Sequence, residues 1–177
     1  MSEPDDDAAW VASCLGGDPG AFEPLVRKYE RVLFSVAYRM VGDYEDARDV
    51  AQNTLVKAYE KLDTFDPERR FFSWLYRIAV NESLNLRRAR RPQEPLPASL
   101  EARSDPVGRV VARERRDRVQ AALRGLSVEQ REVVVLRHFA ELSYEQMAEA
   151  LDIPEKTVKS RLFAARQRLA GLLAEES

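Results

Sequence analysis

Apolar residues recur at helical spacing along most of the chain. Between residues 21 and about 40, Phe22, Leu25, Val26, Tyr29, Leu33, Val36, Ala37 and Met40 fall on one face of a helix. Gly42-Asp43 breaks the pattern, and a second long helix follows from residue 44 to about 62. It carries Ala47, Val50, Ala51, Leu55 and Tyr59 as its apolar stripe, and its acidic first turn suits the positive end of the helix dipole. A short helix over residues 10 to 14 precedes both and ends at Gly16-Gly17, so residues 1 to 9 read as an acidic tail. A third long helix begins at about Phe71, after the turn at Asp66-Pro67, and stops at Pro92.

Residues 92 to 106 lose the periodicity and hold four of the nine prolines, which marks a linker. Helical spacing resumes near Val107. Ser127-Val-Glu-Gln130 and Ser143-Tyr-Glu-Gln146 each read as a capping box that starts a helix. A last helix runs from about residue 155 to 173, with Pro154 in its tolerant first turn. No strand-like alternation interrupts the series, so the expected fold is all-α, two small helical domains at 10–91 and 107–177 joined by a flexible linker.

Two stretches carry candidate chemistry. In the third helix, Leu75, Ile78, Ala79 and Leu86 form the buried stripe, while Arg77, Asn81, Asn85 and Arg88 form a second one below Trp74. Guanidinium and amide groups on one face, with aromatics just upstream, can hold phosphates, bond base edges and stack on a base. A wet face that happens to be basic is the bland alternative. In the second stretch, residues 142 to 169 fit a helix-turn-helix. Met147, Leu151, Val158, Leu162, Ala165 and Leu169 make its shared core, Ala148 sits where the helices cross, and Ile153 plugs the turn. Lys156, Thr157, Lys159, Ser160, Arg161, Phe163 and Ala164 then face outward, with Arg166 and Arg168 placed for phosphates. The competing reading, a plain helical hairpin, ranks below because cap, small residue, turn plug and basic second helix coincide.

Composition narrows the field. With 45% hydrophobic and 33% charged residues the chain is a soluble, globular type, and no apolar run is long enough to insert in a membrane. The single cysteine, Cys14, allows no internal disulfide and fits a reducing cytoplasm. A formal net charge of −2 argues against coating DNA by charge alone, yet acidic and basic residues are segregated: Asp43, Glu45, Asp46 and Asp49 cluster, as do Arg87, Arg88, Arg90 and Arg91. Two kinds of partner surface follow. No Gly-rich phosphate loop, metal-spaced Cys/His cluster or nucleophile motif is present, so neither an enzyme nor a cofactor is expected.

The segments DARDVAQNTLVKAY, FFSWLYRIAVNESLN and LSYEQMAEALDIPEKTVKSRL, in this order and joined by a proline-rich linker, resemble the extracytoplasmic-function sigma factors of bacterial RNA polymerase. The resemblance implies sigma domain two at about 10–91 and sigma domain four at about 107–173, with core RNA polymerase, promoter DNA and an anti-sigma factor as partners. It implies core-polymerase binding by Asp46, Asp49, Gln52, Leu55 and Lys57. Recognition of the −10 element and strand opening fall to the loop at 63–73 and the helix after it. The candidates there are Phe65, Phe71, Phe72 and Trp74 for an unstacked base, at least two of which are expected to be core. Arg77, Asn81 and Asn85 are assigned to the strand, and Arg87, Arg88, Arg90 and Arg91 to phosphates. The −35 element is read by the last helix. The sequence departs from the family pattern at Ala51, Asn53, Lys156 and Ala164. The alternative is a free-standing helix-turn-helix regulator, which needs a dimer and a palindromic operator. The chain offers no evident dimer helix.

Overall fold

The structure is a computed structural model that describes residues 6–89 and 106–175. Among these it contains eight α-helices, two 3-10 turns and no strand. The helices are α1 (Asp6–Leu15), α2 (Glu23–Val41), α3 (Tyr44–Glu60), α4 (Phe71–Ala89), α5 (Pro106–Arg124), α6 (Val128–His138), α7 (Tyr144–Leu151) and α8 (Glu155–Glu175). The expected all-α class and both capping boxes are present. The predicted linker at 92–106 lies almost wholly outside the described residues, as do Arg90 and Arg91.

The first unit is a bundle of α2, α3 and α4 with α1 laid across one end. Leu25, Leu33, Val36, Met40, Leu75 and Ala79 are fully enclosed in it, which accounts for the long runs of helical spacing. Gly42 ends α2 in the left-handed region, φ 86°, where a glycine bears no Cβ penalty. Asp43 then caps α3, its carboxylate accepting from the Asp46 amide at 3.0 Å.

Residues 6–9 depart from the expected acidic tail. They are helical, and the Asp7 carboxylate is buried, accepting from Lys28 Nζ and from the Tyr29 hydroxyl. A charge run read as solvated is here a buried anchor, because a lysine and a phenol on α2 replace the water it gives up.

The second unit packs α6, α7 and α8 around Val133, Val135, Leu136, Met147, Val158 and Leu162, with Leu123 and Leu126 of the α5–α6 turn. Its Arg131 is 3% exposed and has no carboxylate partner among its hydrogen bonds. Its guanidinium instead donates to the carbonyls of Leu123, Arg124 and Leu126, at 2.7, 3.1 and 3.4 Å, and across to Met40 of α2 at 3.2 Å. Burial foremost, then the nearby Arg87 and Arg124, pull its pKa down to about 10, which leaves it charged at neutral pH.

The two units lie against each other. Gln120 of α5 donates to the Tyr38 and Arg39 carbonyls at 3.2 and 3.3 Å, and Phe139, just past α6, receives the Arg39 guanidinium 4.5 Å from its ring centroid. Thus carbonyls at the C-terminal end of α2 are bonded by side chains from the second unit, Tyr38 also accepting the Gly42 amide at 2.9 Å.

Candidate nucleic-acid and polymerase interfaces

Helix α4 positions the first candidate face. Its stripe of Leu75, Ala79 and Val80 is locked in the bundle, so Arg77, Asn81, Asn85 and Arg88 are turned away from that core. Asn81, Asn85 and Arg88 are exposed. Arg77 is half-exposed and pairs with Asp152 at 3.1 Å. Arg87 is half-buried, and its Nη1 is enclosed without a hydrogen-bond partner.

The aromatics before and inside α4 divide as expected. Phe71 is 2% exposed and Phe65 is likewise buried, so the structure corrects their placement from DNA-facing to core. Their rings meet edge to face, 5.6 Å apart, and Phe65 also stands 5.3 Å from Trp74. Large rings at a helix start recover more from burial than from exposure. Trp74 and Phe72 stay half-buried. Between α1 and the loop before α4 lies a mostly apolar groove of about 300 Å³, with Val11, Leu15, Phe65 and Phe71 in its walls.

The candidate polymerase face on α3 is only partly where the sequence set it. Asp49 and Gln52 are exposed, and Leu55 is half-buried against the core. Asp46 is buried, and its backbone amide donates to the Asp43 cap. Lys57 is tied to Glu82 of α4 at 2.7 Å. Two residues that the sequence did not single out for this face stand out. Val56 is 54% exposed, and Tyr59, expected in the buried stripe, is 48% exposed with its ring edge-on to Phe22 at 5.2 Å. Exposed apolar groups beside Asp49 and Gln52 make a surface suited to another protein.

The helix-turn-helix is formed as the sequence predicts. Ser143 caps α7, Asp152 ends it in the left-handed region at φ 55°, and the Ile153 amide returns to the Ala148 carbonyl at 3.1 Å. Met147, Val158, Leu162 and Ala165 are buried together, with Ile153 and Leu169 packed on them. Lys156, Lys159, Ser160, Phe163 and Arg166 are exposed on α8, while Thr157 and Arg161 are half-buried. Phe163 is 65% exposed, a phenyl ring held out on a basic helix. Lys159 pairs with Glu155 and lies over the Tyr144 ring, 5.5 Å from its centroid. Such a helix can enter a major groove with its first turns, and its ring can meet a thymine methyl.

His138, at the end of α6, titrates below the ordinary imidazole value because burial, then Arg166 and Arg137, disfavour its cation. Burial lifts the carboxyl of Glu132. Among the described residues no group of three or more His, Cys, Asp and Glu side chains could hold a metal ion, and no helix is long and apolar enough to cross a membrane.

The comparisons with known proteins agree with this geometry. Residues 25–93 match the model for Sigma-70 region 2 and residues 116–169 match that for Sigma-70, region 4. The chain is 33% identical to the ECF RNA polymerase sigma factor SigW of Bacillus subtilis, over 90% of this chain and 92% of the relative. It is 35% identical to the ECF RNA polymerase sigma-E factor of Escherichia coli K12, over 96% of this chain and 95% of the relative. Among solved structures, CnrH in complex with the cytosolic domain of CnrY superposes with a TM-score of 0.80 at 32% identity, covering 98% of this chain and 100% of that one. The sigma factor RpoE in complex with the anti-sigma factor NepR from Bartonella quintana gives a TM-score of 0.70 at 28% identity, covering 86% and 96%.

Proposed function

The chain belongs to the extracytoplasmic-function sigma factors of bacterial RNA polymerase, and from that premise we propose how its own residues divide the work. As such a factor it binds core polymerase, recognises the −35 and −10 promoter elements and promotes strand opening. In our reading Asp49, Gln52, Leu55, Val56 and Tyr59 on α3 dock on the polymerase, with Asp46 and Lys57 shaping that helix from behind. Asn81 and Asn85 contact the separated −10 strand, Arg77, Arg87 and Arg88 neutralise its phosphates, and Trp74 stacks at its upstream end. Arg90 and Arg91 extend the same basic path beyond the described residues. Lys156, Thr157, Lys159, Ser160, Arg161, Phe163 and Arg166 serve the −35 duplex.

The observation that carries this reading is the row of exposed Asn81, Asn85 and Arg88 on one helix, paired with a helix-turn-helix on a second unit. Opening each stacked pair costs about 1.4 kcal/mol, and stacking a freed base on an aromatic returns about 1–3 kcal/mol. One aromatic therefore offsets about one or two opened steps, enough to nucleate a bubble that grows only while the polymerase holds both units on the promoter.

Asn81→Ala in the reconstituted holoenzyme tests the division. Permanganate reactivity of the −10 strand should fall severalfold while closed-complex binding in a gel shift changes little. Equal loss of both signals refutes the assignment of α4. The free-standing regulator makes the opposite prediction at the start: tight duplex binding without polymerase, and no specific start-site transcription with it. By analogy with RpoE, solved with NepR, an anti-sigma factor is proposed as a further partner that covers these faces.

A further inference from the structure

The second unit lies along the start of α4, on Arg77 and beside Asn81 of the face assigned to the promoter strand. Glu145, Glu149 and Asp152 follow one another at spacings of four and three, which puts them on one edge of α7. Opposite them stand Arg70, Ser73 and Arg77, at spacings of three and four along the start of α4. The two rows meet in register. Glu145 lies 3.7 Å from Arg70 Nη2, and Asp152 lies 3.1 Å from Arg77 Nη2. Between them Glu149 receives the Arg70 amide at 3.0 Å and the Ser73 hydroxyl at 2.9 Å. One turn further on, Asn81 borders a pocket of about 150 Å³ closed by Ala150, Leu151 and Glu132 of the second unit.

A carboxylate on the amide that precedes a helix and on a hydroxyl of its first turn, flanked by two more on guanidinium groups, reproduces what a run of backbone phosphates offers. We propose that α7 is an intramolecular stand-in for the DNA strand: in the free chain its acidic edge lies along the start of the −10 face and masks Arg70 and Arg77, next to the exposed Asn81, until the units part. The proposal rests on the assignment of α4 to the strand.

A second contact, away from that face, holds the mask in place. Gln120 and Arg131 cap the carbonyls of Tyr38, Arg39 and Met40 at the end of α2. Gln120 is buried, and its side chain bonds across the boundary, donating to the Tyr38 and Arg39 carbonyls and accepting from the Arg39 guanidinium. The ionic row is partly exposed and therefore open to screening by salt, whereas the cap is enclosed. The closed arrangement also encloses Arg87 Nη1 without a partner and sets Arg87 near the cationic Arg131. Closure is thereby opposed from within, which suits a reversible mask rather than a permanent one.

Two full-length variants test this. Glu149→Gln with Asp152→Asn removes the charges while leaving the shapes, and Gln120→Ala releases the distant cap without touching the DNA face. Small-angle scattering reads the separation of the units, and fluorescence anisotropy with a short labelled single strand of mixed sequence reads the exposed face. Circular dichroism checks that helicity is retained. Both variants should expand the chain and bind the strand about tenfold more tightly, the gain expected when a face open about a tenth of the time becomes open throughout. Dimensions and affinity like those of the parent in both variants overturn the proposal, and so does expansion without a gain in affinity. The strand assignment fails separately: if Asn85→Ala, which lies outside the mask, leaves promoter opening by the holoenzyme intact, α4 is not the strand reader.

Discussion

Asp7 is a carboxylate in an acidic run that ends up enclosed, held by the Lys28 ammonium and the Tyr29 hydroxyl. Removing it leaves two donors short of an acceptor, and a buried group left unpaired costs about 1–3 kcal/mol. Asp7→Ala should lower the stability of the first unit by that amount in urea unfolding and free α1, with a shift in Trp10 emission. Phe71 and Trp74 make the complementary case. Both are aromatic, three positions apart, yet one is sealed in the core and the other half-exposed beside the DNA face. Composition and spacing could announce an aromatic cluster before a basic helix. They could not say which ring has a face to spare, because that depends on how Tyr29 and Phe65 close around Phe71.

Among the elements, the helix-turn-helix was the most legible. Cap, plug and core positions all follow from local spacing, and each is where it was expected. Leu162 is enclosed between α8 and its neighbours, so Leu162→Ala should cost about 2–5 kcal/mol in the second unit and abolish −35 binding at elevated temperature. The acid response of that unit follows from two groups with opposite signs. The pKa of His138 is depressed by folding, so its neutral form is favoured, and stability is lost as pH falls from the ordinary 6.5 through the lowered value. The carboxyl of Glu132 is raised by folding, so its charged form is penalised, and stability is gained as pH falls through its raised value. His138→Gln should therefore remove the loss on the acid side of 6.5 and leave the Glu132 gain, visible as a melting temperature that no longer drops as pH is lowered from neutrality. Helix α3 was less legible. Its acidic first turn was read as a docking face, but Asp46 is turned inward and the exposed Val56 and Tyr59 lie further along. Periodicity marks an apolar stripe and cannot show where one edge of it runs out of partners.

For the whole molecule, a slightly negative chain with two basic faces has little attraction for duplex DNA as a bulk charge. The free protein should bind −35/−10 duplex only weakly, and addition of core polymerase should raise the apparent affinity by at least a hundredfold in a filter or anisotropy assay. Nanomolar binding without polymerase would contradict this. The physical reason is that a polymerase which fixes both units at the promoter spacing turns two weak contacts into one event.

The sequence by itself determined the helices, their caps, the two-unit plan and the family, because each is written in short-range spacing and in motif order. It also set out the candidates for both proposed nucleic-acid faces, since a basic or amide stripe opposite an apolar one is a local pattern. Only the tertiary structure decided which aromatics are sealed, that Asp7 is an anchor, and that Glu145, Glu149 and Asp152 meet Arg70, Ser73 and Arg77. Those outcomes depend on groups some 20 to 80 positions apart coming within a few ångströms. No periodicity in one helix records which face of another will lie against it.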